Sequence, residues 1–270
     1  MTLISLLLVL FVERVTTKSR YWQADFYSAK YLDRWQNRDW LSGETSLLLL
    51  VIIIALPSLL IFCALTFAVG QIIAFIISTA ILMVCVGCPS VRATYKCYLQ
   101  AANRGDMEAC NLYADQIIEN NQNPGTFGQN LVWQNYRHYA AVALFFVILG
   151  APGAVLYVLA RAAESRIGHE NNTVNKIMYF LDWLPVRITA LGFLLVGHFS
   201  HALPIWLGHF LTPKIPAKKL LIDVSRAAED VEPDEHNCTE EPCTLVRLAK
   251  RNILFLMAVI SGLTLVGWLN

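Results

Sequence analysis

The sequence predicts an all-α, polytopic membrane protein. It has four to five transmembrane helices, a short N-terminal helix and amphipathic helices on the cytoplasmic side. Three observations carry this. Of the 270 residues 56% are hydrophobic and 15% charged, where soluble domains are about one quarter charged. Mean hydropathy is +0.48, and apolar runs of membrane-spanning length recur along the chain. A formal net charge of +1 offers no basis for binding nucleic acid, which requires clustered Lys and Arg. We therefore read 1–270 as a single membrane domain.

The first segment, MTLISLLLVLFVERV, has no basic lead-in, and its apolar stretch runs into Glu13-Arg14 rather than a small-residue cleavage site. It is shorter than the roughly 20 residues a span needs. It is expected to be a retained helix, packed among the spans or lying at the interface. Residues 47–86 are almost continuously apolar, with Gly70-Gln71 as the one polar notch, which predicts a transmembrane hairpin over 47–87. Residues 88–138 are polar and helical in pattern, a cytoplasmic helical loop. A span over 139–160 carries a central GAPG that should break it. The segment 188–211 is apolar but interrupted by His198, His201, Pro204 and His209, so it is transmembrane or re-entrant. Residues 223–243 hold eight acids against one arginine and read as an acidic flexible loop. A last span covers 253–269. Loops 13–46 and 88–138 together carry ten Lys and Arg, which places both in the cytoplasm.

Polar groups at membrane boundaries are the candidates for function. Glu13 and Arg14 form the first acid–base pair, or else a helix end reaching the interface. On 92–103, Arg92, Tyr95 and Gln100 lie near one another, and Gly105-Asp106 supply a helix stop and the next cap. In NLVWQNYRHYA, Asn130, Trp133, Gln134 and Arg137 recur at helical spacing. Amides, an aromatic and a guanidinium on one stripe suit an anionic or phosphate-bearing ligand; the plainer reading is an anchored helix end. Arg161 and Glu164, three apart, can pair on a helix surface. In LDWLPVRI, Asp182 can cap a helix whose first turn holds Pro185, with Trp183 and Arg187 at the lipid surface. The same octet can hold two opposite charges in fixed geometry at a cavity mouth.

Seven scattered cysteines do not form a disulfide framework. Neither they nor the histidines supply four well-spaced metal ligands. No metal or cofactor is expected.

Several separate motifs resemble one family. The opening LLLVLFVERV with Trp22 downstream, YKCYLQAANRGDMEA, QNLVWQNYRHYAA, DWLPVRITALGFLLVGH and ALPIW look like the AmpE family. These are bacterial inner-membrane proteins associated with regulation of inducible β-lactamase. The resemblance implies a multi-pass inner-membrane regulator or sensor of cell-wall signalling. Its partners would be membrane lipids, a small anionic or cell-wall-derived ligand, a cytoplasmic cell-wall amidase pathway and a second copy in a homodimer. The ligand-binding set expected on this basis is Asn130, Trp133, Arg137, Arg161, Glu164, Asp182, Trp183 and Arg187.

A more distant similarity reaches the CobD/CbiB membrane enzymes of cobalamin biosynthesis, through LFF…LGAPGAVLY, Gly168 and an NWIPAR-like motif over Asp182–Arg187. That similarity implies a shared helical fold and, as the alternative function, an ATP-dependent enzyme making or breaking an amide or phosphate linkage. ATP and Mg would be needed only there. The departures weigh against it. No GRDT-type motif stands in 106–128, Gln129 replaces an acid, Tyr136-Arg137 stand where Asp-Gly would, and ARAAES replaces an NTLD-like motif. Magnesium sites need hard oxygen ligands, and these positions no longer supply them.

Overall fold

The structure, a computed structural model, describes residues 2–16, 18–38, 40, 45–68, 70–117, 125–168, 171–210, 212, 215–230 and 238–267. Among these there is helix and no strand. Four stretches are long and apolar enough to cross a membrane: Leu47–Phe67, Gln71–Asn103, Asn172–Val196 and Glu240–Leu265. The second is not one unbroken helix, because the chain turns at Gly87. Where the sequence points to a single membrane domain, the packing divides into two compact units.

The first unit comprises residues 1–87, 141–182 and 259–270. Its helices are α1 (Thr2–Val15), α2 (Ala24–Gln36), α3 (Leu47–Cys63, continued by a π-turn to Ala68) and α4 (Gln71–Cys85). After the second unit's α5 to α7, described below, come α8 (Ala141–Leu149) and α9 (Ala151–Ile167). Helix α9 is the hub, packed against α2, α3, α4 and α8. Its small residues make this possible: Ala151, Gly153, Ala154, Ala160 and Ala163 are buried and let neighbouring backbones approach. The break expected at GAPG is present. Gly150, at φ +71°, takes a conformation that L side chains rarely adopt. The chain reverses there, so that the Phe145 and Tyr157 rings stack 5.0 Å apart.

Helix α1 is 14 residues long, about 21 Å, and packs against α4. Its buried stripe Leu6, Val9 and Glu13 has helical spacing, and Ser5 meets the Thr79 hydroxyl at 2.8 Å. Glu13 stands in that stripe because Lys18 reaches back to its carboxylate at 2.9 Å, both side chains 4% exposed. The same ammonium donates to the carbonyls of Met83 and Val86, satisfying groups that the end of α4 leaves without helical partners. Gly87, at φ +91°, lies against the Glu13 carboxylate, where a Cβ would collide with it. The expected Glu13–Arg14 pair is thus replaced by Glu13–Lys18, and Arg14 is exposed.

The second unit comprises residues 88–140 and 183–258. It contains α5 (Pro89–Asn103), α6 (Met107–Asp115) and α7 (Phe127–Asn135), the last running through a π-turn at Tyr136–Ala140. Asp106 caps α6 by accepting from the Ala109 N–H at 3.0 Å, as its position after Gly105 suggests. Tyr98, Cys110, Phe127 and Leu131 form a local core, with the Tyr98 and Phe127 rings 3.8 Å apart. Burial pushes the Cys110 thiol up from its usual range, so it sits there as a small apolar group. Helices α11 (Phe199–Phe210) and α12 (Ala217–Glu229) pack together, α12 burying Leu220, Leu221, Val224 and Ala228. Helix α13 (Glu240–Leu265) closes the described chain.

Two boundaries differ from the sequence reading. The acidic segment 223–243 is helical at both ends, to Glu229 and from Glu240; residues 231–237 lie outside those described. Of its acids, Asp223 and Glu229 lie on α12, and Glu241 is buried in the first turn of α13. The larger correction concerns 188–211. Helix α10 runs from Asn172 to Val196, and α11 is separate. The chain breaks at Gly197, and the His198 N–H donates to the Ala228 carbonyl at 2.7 Å. Asp182 and Pro185 therefore lie in the middle of α10, not at its start. Asn171 takes the capping role, its side chain accepting from the Thr173 N–H at 2.8 Å. From there Val174, Met178, Asp182 and Val186 form one buried stripe at four-residue spacing.

Breaking the Glu13–Lys18 pair from one side leaves a buried charge uncompensated. Glu13→Ala should cost about 3–5 kcal/mol, seen as a lower melting temperature in detergent. Glu13→Ala combined with Lys18→Met should recover a large part of the loss, and failure to recover it would show that Lys18 acts chiefly on the α4 carbonyls.

Candidate functional site

The eight candidate residues divide between the units. Asn130, Trp133, Arg137, Trp183 and Arg187 belong to the second, and Arg161, Glu164 and Asp182 to the first.

In the second unit Thr126 caps α7, its hydroxyl accepting from the Gln129 N–H at 3.3 Å. Asn130 donates its side-chain amide to the carbonyls of Gly125 (2.8 Å) and Thr126 (3.1 Å). Its donors are spent on holding the entry to the helix, a structural use that spacing alone does not reveal. Gln129 and Thr126 both donate to the Glu241 carboxylate in the first turn of α13. Gln129 is thus met by a carboxylate distant in sequence. Arg137 lies in the π-turn and is 4% exposed. Its guanidinium sits 5.6 Å from the Trp133 ring centre, and Trp133 stacks on Tyr136 at 5.3 Å. Such turns insert one residue into the helical ladder and recur at functional sites. On α10, Arg187 repeats the arrangement: it lies 4.3 Å over Trp183 and donates to the Trp183 carbonyl at 2.9 Å. Both buried guanidiniums are thus laid on indole faces, Trp133 being buried and Trp183 exposed; a cation–π contact is worth more where it is desolvated.

In the first unit Asp182 is 3% exposed and accepts from the Tyr157 hydroxyl of α9 at 2.9 Å. Arg161, one turn further along α9, donates to Asp25 of α2 at 2.8 Å. This is a contact between helices, with the guanidinium side chain 6% exposed. Arg166 likewise reaches Asp33 of α2. Glu164 is half-buried, and its backbone carbonyl accepts from the Gly168 N–H at 2.8 Å. Asp25, Tyr157 and Glu241 were not identifiable as partners in the sequence, because nothing local marks a contact between positions 25 or 136 residues apart.

A second polar region also lies in the second unit. His209 meets Asp223 at 3.0 Å and His201 lies 3.8 Å from Asp230. These pairs and Arg226 border a cleft of about 800 Å³ along α11 and α12. His198 and His201 also lie together, their ring centres 6.2 Å apart.

An all-helical chain with four helices able to cross a membrane, carrying paired acids and guanidiniums in buried positions, is a membrane protein of the helical class. The family profile described as Regulatory signalling modulator protein AmpE matches residues 1–270; the chain belongs to this family and is a regulatory signalling modulator. It is 28% identical to Protein AmpE of Shigella flexneri over 289 aligned positions, covering 99% of each chain. It is also 37% identical over 76 residues to the Cobalamin biosynthesis protein CobD of Chromobacterium violaceum, covering 24% of this chain and 23% of that one. No solved structure matches.

The Tyr157–Asp182 bond has a measurable consequence. Tyr157→Phe removes one donor from a buried carboxylate and should lower stability by about 1–3 kcal/mol. A thermal melt in detergent reads this, and an unchanged melting temperature would show that the contact is incidental.

Proposed function

We propose that the chain is a multi-pass protein of the bacterial inner membrane that binds a small anionic ligand derived from the cell wall and modulates induction of β-lactamase. Membership of the AmpE family supports the regulatory part. The observation that carries the ligand class is the pair of buried guanidiniums, Arg137 and Arg187, each held on a tryptophan face. A planar cation fixed by an aromatic ring is pre-organised to meet a carboxylate or phosphate with two parallel hydrogen bonds. In this role Trp133 and Trp183 orient the guanidiniums, while Asp182 anchors α10, which carries Arg187, to Tyr157 of α9, and Arg161 in turn ties α9 to α2. Membrane lipids, a second copy of the chain and a cytoplasmic cell-wall amidase pathway are the partners this reading entails. It invokes no cofactor or metal.

The test is complementation. A strain lacking the gene and carrying Arg137→Gln or Arg187→Gln should show β-lactamase induction after antibiotic challenge reduced by about tenfold, the loss of one charge-assisted hydrogen bond or more. The variant must be present in the membrane at the normal level. Full induction by both variants would rule out the two guanidiniums as the ligand site.

A further inference from the structure

Within the first unit, an apolar slot of about 460 Å³ opens among α2, α3, α4 and α9. That volume falls in the range of about 300–1,000 Å³ that holds small ligands. Its α2 wall is made by Ala24, Tyr27, Ser28 and Tyr31, four positions at helical spacing. Its depth is lined by apolar residues of α3, α4 and α9, from Pro57 and Ile61 to Ile77 and Leu159. Tyr31 fixes α2 over the slot, its hydroxyl donating to the Ile53 carbonyl at 2.9 Å. A slot walled this way excludes water and accepts a hydrocarbon chain.

The charges of α2 say what that chain is attached to. The helix carries two carboxylates, Asp25 and Asp33, and both are taken by α9, through Arg161 and Arg166. Lys30 and Arg34 of α2, and Arg38 just after it, remain exposed, with no carboxylate partner among the described residues. Lys30 and Arg34 flank Tyr27 and Tyr31 on the helix surface, so unneutralised cations stand beside the slot. Trp22, Tyr27 and Trp40 are exposed along the same segment, the amphipathic aromatics that favour the headgroup level of a bilayer. An apolar slot by itself could take a transmembrane helix of another protein. The adjoining cations select a ligand with an anionic head and a hydrocarbon tail.

We infer that the slot beside α2 is a binding site for an anionic phospholipid, one acyl chain lying between α3 and α4 and the phosphate headgroup on Lys30 and Arg34. The site uses none of the residues assigned to the regulatory ligand, and it stands or falls independently of that reading.

Native mass spectrometry of the full chain, released from mixed micelles of phosphatidylglycerol and phosphatidylcholine, tests it. The wild type should retain one phosphatidylglycerol in preference to phosphatidylcholine by tenfold or more. The double variant Lys30→Gln/Arg34→Gln should retain a lipid but lose that preference, since each interfacial cation contributes several-fold to anionic-lipid affinity. Ala80→Phe, at an exposed position on the slot wall, should abolish retention of either lipid with helical content unchanged by circular dichroism. No retained lipid, equal retention of the two lipids by the wild type, variants that behave as the wild type, or a lipid-free dimer would each overturn the proposal.

Discussion

Everything in this molecule is subject to one constraint: an ionisable group placed among apolar helices must find a partner there. Removing an isolated charge from water costs more than a fold can supply. The buried set of Glu13, Arg137, Arg161, Asp182 and Arg187 meets the requirement in three ways. Glu13 and Arg161 take an opposite charge, Lys18 and Asp25. Asp182 takes a hydroxyl, from Tyr157. Arg137 and Arg187 take the face of an aromatic ring. The third solution differs in kind, because an indole ring offsets part of the charge through the face of the guanidinium plane.

The same constraint governs where helices stop. Each end leaves backbone groups to be satisfied, and this chain satisfies some of them with residues distant in sequence. Lys18 closes the end of α4. The Ala228 carbonyl, at the end of α12, receives the first free N–H after α10. Helix ends are thereby tied to particular neighbours, so a change at one terminus is felt at a helix remote in sequence. A signalling protein can exploit such coupling only if the ties are specific, and an ammonium bound to two named carbonyls and one carboxylate is specific.

How much of this was legible in the sequence follows from the range of each interaction. The apolar hairpin, the GAPG break and the Asp106 cap depend on residues within a few positions of one another, and the structure has helices or breaks at each. The start of α10 was misread because two signals competed. Asp182 with Pro185 makes a plausible cap and first turn, yet Asn171 caps equally well, and the buried stripe from Val174 to Val186 favours the earlier start. Proline inside a helix is tolerated where neighbours satisfy the freed carbonyl, a condition that sequence cannot supply. The residues later found to compensate the charges, Asp25, Tyr157 and Lys18, carry no local mark at all. Of the candidate site, the placing of Trp133 and Arg137 on one helical face was readable from their spacing; the Trp183–Arg187 contact and the use of Asn130 as a brace were not.

The octet LDWLPVRI shows what this distinction changes. As a cap its acid and arginine would face water, and their proximity would have little energetic meaning. Within α10 both are buried, Asp182 at 3% and Arg187 at 6% exposure, and five positions apart they project to different sides of the helix. Asp182 is turned to Tyr157 in the first unit and Arg187 to Trp183 in the second. They are two separately compensated charges on one helix, and Pro185, lacking the N–H that would bond Leu181, marks the place where that helix is least constrained by its own ladder. The Arg187–Trp183 contact spans that point, so it braces the helix where its own ladder is interrupted.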